Sequence, residues 1–121
     1  MQDSIKSYRD LNVWKKTKEL AVFVYKLTDT FPKTEIYGLV SQMRRAAVSM
    51  PSNIAEGFRR KSKSEKLQFL RIAYGSGAEL ETQAEISRDL RFLTDSDYEK
   101  LVNELDSAMK MLNRAISVLG D

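Results

Sequence analysis

The sequence predicts an all-α protein, an antiparallel up-down-up-down four-helix bundle, and three observations carry that prediction. Four segments repeat apolar residues at three- and four-residue spacing, the period of one helix face. Only a few residues connect one segment to the next, which favours antiparallel neighbours. A chain of 121 residues suits one hydrophobic core and leaves no room for a second. No internal repeat, low-complexity block or linker divides it, so residues 11–121 read as a single domain behind a flexible N-terminal arm, residues 1–10.

The first helix is expected from about Leu11 to Phe31, on Val13, Thr17, Leu20, Val24, Leu27 and Phe31. Pro32 ends it, because the residue before a proline is pushed out of the α region, and Thr34 is the expected cap of the next helix. That second helix spans about Glu35 to Phe58 on Ile36, Val40, Met43, Ala47, Met50, Ile54 and Phe58. Pro51 interrupts it and is expected to kink it: its ring collides with the carbonyl of Ala47, and the hydroxyl of Ser49 or Ser52 is a candidate for relieving the disruption.

Ser62-Lys63-Ser64-Glu65 reads as a capping box opening a third helix that runs to about Phe92, with Leu67, Leu70, Ala73, Gly77, Leu80, Ala84 and Ser87 inward. Ser96-Asp97-Tyr98-Glu99 reads as another box, opening a fourth helix on Tyr98, Leu101, Leu105, Met109, Leu112, Ile116 and Leu119, with Gly120 as its C-cap. Folding the second helix on the third about residue 61 or 62 sets Ala46 and Ala47 opposite Gly75 to Gly77. Small against small allows close approach, which offsets glycines that each cost about 1 kcal/mol in a helix interior. The same register brings Arg44 and Arg45 near Glu79 and Glu81.

Composition narrows the function. There is no cysteine and no histidine, so disulfides, thiolate sites, the usual serine activator and the commonest zinc or iron ligand are all missing. No enzyme, catalytic residue, cofactor or metal is expected, and Glu79, Glu81 and Glu85 lack the histidines of a di-iron bundle. The start carries no apolar signal-peptide core, and the apolar run Leu20 to Tyr25 is far short of the roughly 20 residues that cross a bilayer. A cytoplasmic location away from membranes is the expectation. Charge is uneven: residues 1–66 hold 14 Lys and Arg against 7 Asp and Glu, residues 67–121 hold 6 against 10. That asymmetry fits a polyanion-binding surface or self-association of unlike faces.

The most distinctive residues are Phe31-Pro32, Glu35, Tyr37-Gly38-Leu39, Gln42, Arg44-Arg45-Ala46-Ala47, Ser49, Pro51 and Asn53-Ile54-Ala55-Glu56-Gly57, then Ala73, Gly75-Ser76 and Glu79-Leu80-Glu81. They resemble the bacterial 23S rRNA intervening-sequence, or S23, proteins from Leu11 to Leu119. The resemblance implies a four-helix bundle assembled as a ring-like homopentamer, in a family mostly of unknown role. Some members are encoded within insertions in 23S rRNA genes. The related accessory variability determinant of diversity-generating retroelements is a basic pentamer that binds nucleic acid and its reverse transcriptase. No catalytic residues carry over.

Two kinds of site follow from the residues. Arg59, Arg60, Lys61, Lys63 and Lys66 form a basic corner suited to phosphates, with Lys15, Lys16 and Lys18 as a weaker second group. Gln42, Arg44, Arg45, Pro51, Asn53, Glu56, Gly57, Glu79 and Glu81 read as a structural motif: Arg44 and Arg45 either join the phosphate-binding surface or pair with Glu79 or Glu81, and Gln42, Asn53 and Glu56 satisfy freed backbone groups or a neighbouring subunit. Trp14, Tyr25 and Tyr74 are assigned to the core. Val22, Phe23, Ile72, Ile86, Met111 and Val118 lie off the inward stripes, as residues of a subunit interface do. The expected function is an oligomeric accessory or scaffold that binds RNA or DNA, alone or with a reverse transcriptase or other nucleic-acid-processing protein. The alternative is a protein-interaction scaffold that touches no nucleic acid.

Overall fold

The computed structural model describes residues 5–120, so residues 1–4 of the expected arm lie outside the described residues. The rest of the arm is shaped by Ser7 and Asp10. The Ser7 hydroxyl accepts from Arg9 N at 3.2 Å, and the Asp10 carboxylate accepts from the amides of Lys6 and Ser7 at 3.0 and 3.1 Å. This reciprocal box closes a 3₁₀ turn over Tyr8–Asp10, and Tyr8 packs on Trp14 with ring centroids 5.2 Å apart.

The described residues are all-helical, with no strand. Helix α1 spans Asn12–Thr28, α2 Leu39–Arg59, α3 Lys63–Asp89 and α4 Asp95–Gly120. Helix α1 ends before Phe31, which still reaches the core and packs on Phe92. Buried Thr17 and Thr28 donate to the carbonyls of Val13 and Val24 at 2.9 and 2.7 Å, so their hydroxyls are satisfied within α1.

Helix α2 starts later than its periodicity indicates. Lys33–Glu35 forms a separate 3₁₀ turn, and Gly38, at φ −112° and ψ −111°, lies outside helical geometry. Ile36 is therefore outside the helix and 52% exposed, off the stripe assigned to it. The cap is also different: Glu35 Oε1, not the Thr34 hydroxyl, accepts the Leu39 amide at 3.2 Å. Pro51 is buried and α2 runs unbroken through it.

Ser62 caps α3 as expected, its hydroxyl accepting the Glu65 amide at 3.1 Å. At the other end, Phe92 N donates to Ser87 O and Arg91 N to Arg88 O, both near 2.9 Å, the paired bonds of a Schellman motif. Its left-handed position, usually glycine, is filled by Arg91 at φ 63°. Helix α4 is capped by Thr94, whose hydroxyl accepts from Asp97 N at 3.1 Å, rather than by Ser96. The early turn after Ser87 brings Thr94 to the helix entrance two residues sooner.

Leu20, Val24, Met43, Ala47, Met50, Ile54, Leu80, Ala84, Leu101, Leu105 and Leu112 form the interior, contributed by all four helices. Helices α2 and α3 share the largest interface. Its register is within one to three residues of the expected one: Ser49 meets Ser76, Ala46 borders the same cleft as Ser76, and the nearest atoms to a Cβ at Gly77 belong to the thioethers of Met109 and Met50. Gly75 has nothing within 4 Å of a built Cβ. A further close approach lies nearer the turn, where a Cβ on Gly57 would stand 3.0 Å from Phe69 Cβ and 3.4 Å from Lys66 O.

Candidate nucleic-acid interface

The corner between α2 and α3 is organised by hydrogen bonds that the basic residues make with the protein itself. Arg60 pairs with Glu56 at 2.9 Å and Glu65 at 3.7 Å, and its guanidinium lies 5.0 Å from the centre of the Phe69 ring. Lys66 Nζ donates to Phe58 O at 2.9 Å, with Gly57 O at 3.5 Å, so this ammonium neutralises carbonyls at the C-terminus of α2. Both cations stabilise the turn. Arg59, Lys61 and Lys63 are exposed and form no ion pair among the described residues.

One cation outside that run, Arg9, joins them. The Arg9 and Arg59 guanidinium groups stand 4.7 and 5.6 Å from the Tyr8 ring centre, so the N-terminal turn carries Arg9, with Lys6 nearby in sequence, to the α2–α3 corner. The signal available for this was Ser7-x-x-Asp10, a capping-box spacing inside the segment expected to be a loose arm. Of the second group, Lys16 pairs with Glu104 on α4, Lys15 is exposed, and Lys18 stands 5.3 Å from the Trp14 ring centre.

These contacts collect charge at one end. Tyr8 lies by Arg59, Gly120 lies by Leu67, and Val13 lines a groove with Val118 and Leu119, so the start of α1, the α2–α3 turn and the end of α4 meet. The helix halves on that side, residues 5–19, 50–75 and 108–120, hold 13 Lys and Arg and 4 Asp and Glu, a net +9. Residues 20–49 and 76–107 hold 7 and 11, a net −4. The asymmetry between halves of the sequence has become a polarity along the molecule.

The motif residues have structural partners of a different kind from those expected. Arg44 donates to Thr28 Oγ1 at 2.9 Å and to Tyr25 O at 3.3 Å, and lies 4.5 Å from the Tyr25 ring centre. No ion pair within 4 Å joins Arg44 or Arg45 to Glu79 or Glu81 among the described residues; Arg44 turns to α1, and Arg45, Glu79 and Glu81 are exposed. Asn53 Nδ2 donates to Ser49 O and Ser49 Oγ at 2.8 and 2.9 Å, and the Ser49 and Ser76 hydroxyls are 2.8 Å apart. Ser49 therefore links α2 to α3, and neither its hydroxyl nor that of Ser52 is bonded to the Ala47 carbonyl. Glu56 serves Arg60, Gly57 permits the close approach to Phe69, and Gln42 is exposed.

The aromatic residues divide. Trp14 is half-buried against the core, whereas Tyr25 and Tyr74 are exposed, contrary to their assignment to the interior; the Arg44 guanidinium, not the core, covers the Tyr25 ring. Val22, Ile72, Ile86 and Val118 are exposed, and Phe23 and Met111 half-buried. No described group of three or more Asp and Glu is arranged to hold a metal ion, and no described helix is long and apolar enough to cross a membrane.

The model of the 23S rRNA-intervening sequence protein family matches residues 9–114, from the N-terminal turn through the basic corner, the motif and most of α4. This chain belongs to that family. A crystal structure of an S23 ribosomal protein family member from Bacteroides thetaiotaomicron VPI-5482, itself described as of unknown function, superposes with a TM-score of 0.78 at 25% identity. The match covers 86% of this chain and 97% of that one. No curated protein matches. Family membership thus accounts for the helical frame, while the chemistry of this member has to be argued from its own surface.

Proposed function

We propose that this S23 family member is a non-enzymatic, oligomeric accessory or scaffold protein that binds RNA or DNA through the basic end of an up-down-up-down bundle. Contacts between the start of one helix and the end of the next support that topology, Tyr8 with Arg59 and Arg44 with Thr28 among them. The observation that carries the function is the segregation of charge among the described residues, a net +9 on the half containing the α2–α3 corner against −4 on the other. Cations without acidic partners release condensed counterions when they meet phosphates, and Arg9, Arg59, Lys61 and Lys63, which form no ion pair among the described residues, are the ones placed to do so. Arg60, Lys66 and Lys16 hold the corner and the α1–α4 contact instead.

The assembly in this reading is a homopentamer in the cytoplasm, working beside a nucleic-acid-processing protein such as a reverse transcriptase. Exposed Ile72 and Ile86 on α3, with Val22 on α1 and Val118 on α4, supply apolar surface for subunit contacts. The same residues are what favours the second reading, a scaffold that binds protein alone.

Titrating labelled structured RNA and duplex DNA across a salt series, with native mass recorded, tests the proposal. Binding should weaken linearly in log salt. Changing Arg59, Lys61 and Lys63 together to Gln should lower the duplex slope by about 2 to 3. Unaltered slope in that variant, or no binding by an intact oligomer at low salt, would overturn the nucleic-acid reading and leave the protein scaffold.

A further inference from the structure

The outer face of α2 carries a second group of arginines, in the half of the molecule whose net charge is −4. An open groove of about 680 Å³ runs along it, with Arg44 and Arg45 on its walls, Tyr25 and Tyr37 beside them, and no Asp or Glu in its lining. Arg44 is half-buried, and its partners are neutral: Thr28 Oγ1 at 2.9 Å, Tyr25 O at 3.3 Å and the Tyr25 ring, whose centre lies 4.5 Å away. These contacts fix the guanidinium without cancelling its charge. Neither Arg44 nor Arg45 forms an ion pair among the described residues. Two adjacent cations, one partly taken out of water, are costly without a counter-charge, so the groove calls for an anion. Its aromatic wall calls for more than a bare anion. Tyr37 is 95% exposed, at the non-helical turn before Leu39, so almost its whole ring is open to a planar group.

We propose, building on the nucleic-acid reading, that the outer face of α2 is a track for single-stranded nucleic acid, with a base stacked on Tyr37 and phosphates on Arg44 and Arg45. Arg45, Val48, Ser52 and Arg59 recur at three-, four- and seven-residue spacing and are all exposed, so one helix face leads from the groove to the basic corner. Glu56, at the edge of that face, is held by Arg60. From Arg45 to Arg59 is about 21 Å of helix, room for about six stacked nucleotides. Cations that follow a backbone and a ring that receives a base are the combination that binds single strands. A duplex keeps its bases stacked inside and offers no free face to Tyr37. The outer face of α3, where exposed Ile72, Ile86 and Leu90 accompany Glu79, Glu81 and Glu85, suits a protein neighbour instead.

Fluorescence anisotropy of the full chain with labelled oligothymidylate, which forms no duplex, and with a labelled blunt duplex tests the track. Tyr37→Ala should weaken oligothymidylate binding about tenfold and leave duplex binding within about twofold, and Tyr37→Phe should keep both. Arg45→Gln should lower the single-strand slope in log salt by about 0.7. Both side chains are exposed, so the variants should fold. Oligothymidylate binding unaltered by Tyr37→Ala, or a slope unaltered by Arg45→Gln, would overturn the track while duplex binding through Arg59, Lys61 and Lys63 still stood. Equal losses on single strand and duplex in Tyr37→Ala would overturn it as well. Absence of binding to either probe would overturn the track together with the nucleic-acid reading on which it rests. A fall in native mass caused by Tyr37→Ala would show instead that a second copy covers the groove, and would likewise overturn it.

Discussion

Gly75 and Gly77 stand two residues apart on α3 and meet opposite surroundings. A Cβ at Gly77 would lie 2.2 Å from Met109 Sδ and 3.1 Å from Met50 Cε, while a Cβ at Gly75 would meet nothing within 4 Å. On the inner face of α3 the glycine is room made for two thioethers; on the outer face, within one chain, it makes room for nothing. Each glycine weakens the helix by about the same amount, about 1 kcal/mol. Only the inner one returns that cost in packing, so the outer face, with Ile72 and Ile86 also exposed, is where a neighbour outside the bundle would account for the sequence.

The strongest way to break this comparison is Gly77→Leu. It should destabilise the protein by about 3 kcal/mol through overpacking against Met50 and Met109, lowering the melting temperature by about 10 °C. An unchanged melting temperature would mean that the inner face is not closed at Gly77. Gly57→Val tests the second close approach, against Phe69 and Lys66, and should lose about 2 kcal/mol in a urea melt.

Gly75→Ala sharpens the contrast, because it removes the helix penalty without a clash inside the chain. A dilute monomer should gain about 1 kcal/mol, and the gain should shrink or reverse at concentrations where the chain associates if α3 packs closely on a second copy. The smallest effect concerns the end of the same helix. Arg91→Gly relieves a left-handed residue and should add about 0.5 to 1 kcal/mol in thermal unfolding, with no change in oligomeric state.

Much of the frame was legible because helix-forming physics is local. The apolar stripes of α1, α3 and α4 and the Ser62 cap follow from three- and four-residue spacing and from side chains that reach their own backbone, whereas α1 stops at Thr28, before the residue that Pro32 restricts. Boundaries set by less local geometry were harder to read. Ile36 continues the stripe of α2 in sequence, but the 3₁₀ turn at Lys33–Glu35 and the non-helical Gly38 remove it from the helix. Thr94 and Ser96 are both plausible caps by type, and the Schellman turn after Ser87 selects Thr94. The candidate interface was only partly legible. The cations at 59–66 were visible as a run, but which of them are occupied depends on Glu56, Glu65 and the carbonyls of Gly57 and Phe58.

By itself, then, the sequence determined four amphipathic helices, a basic turn between the second and third, and membership of a family whose motif spans them, because periodicity, caps and breakers act within a few residues. Tertiary structure alone decided that Arg44 turns to Thr28 and away from Glu79, that Arg9 reaches the basic corner through Tyr8, and that Gln83 Oε1 is buried with no donor among the described residues. Those outcomes depend on the axial register between helices, which a shift of one or two residues changes and which is set by how Met50, Met109 and Phe69 fill the space at two glycines.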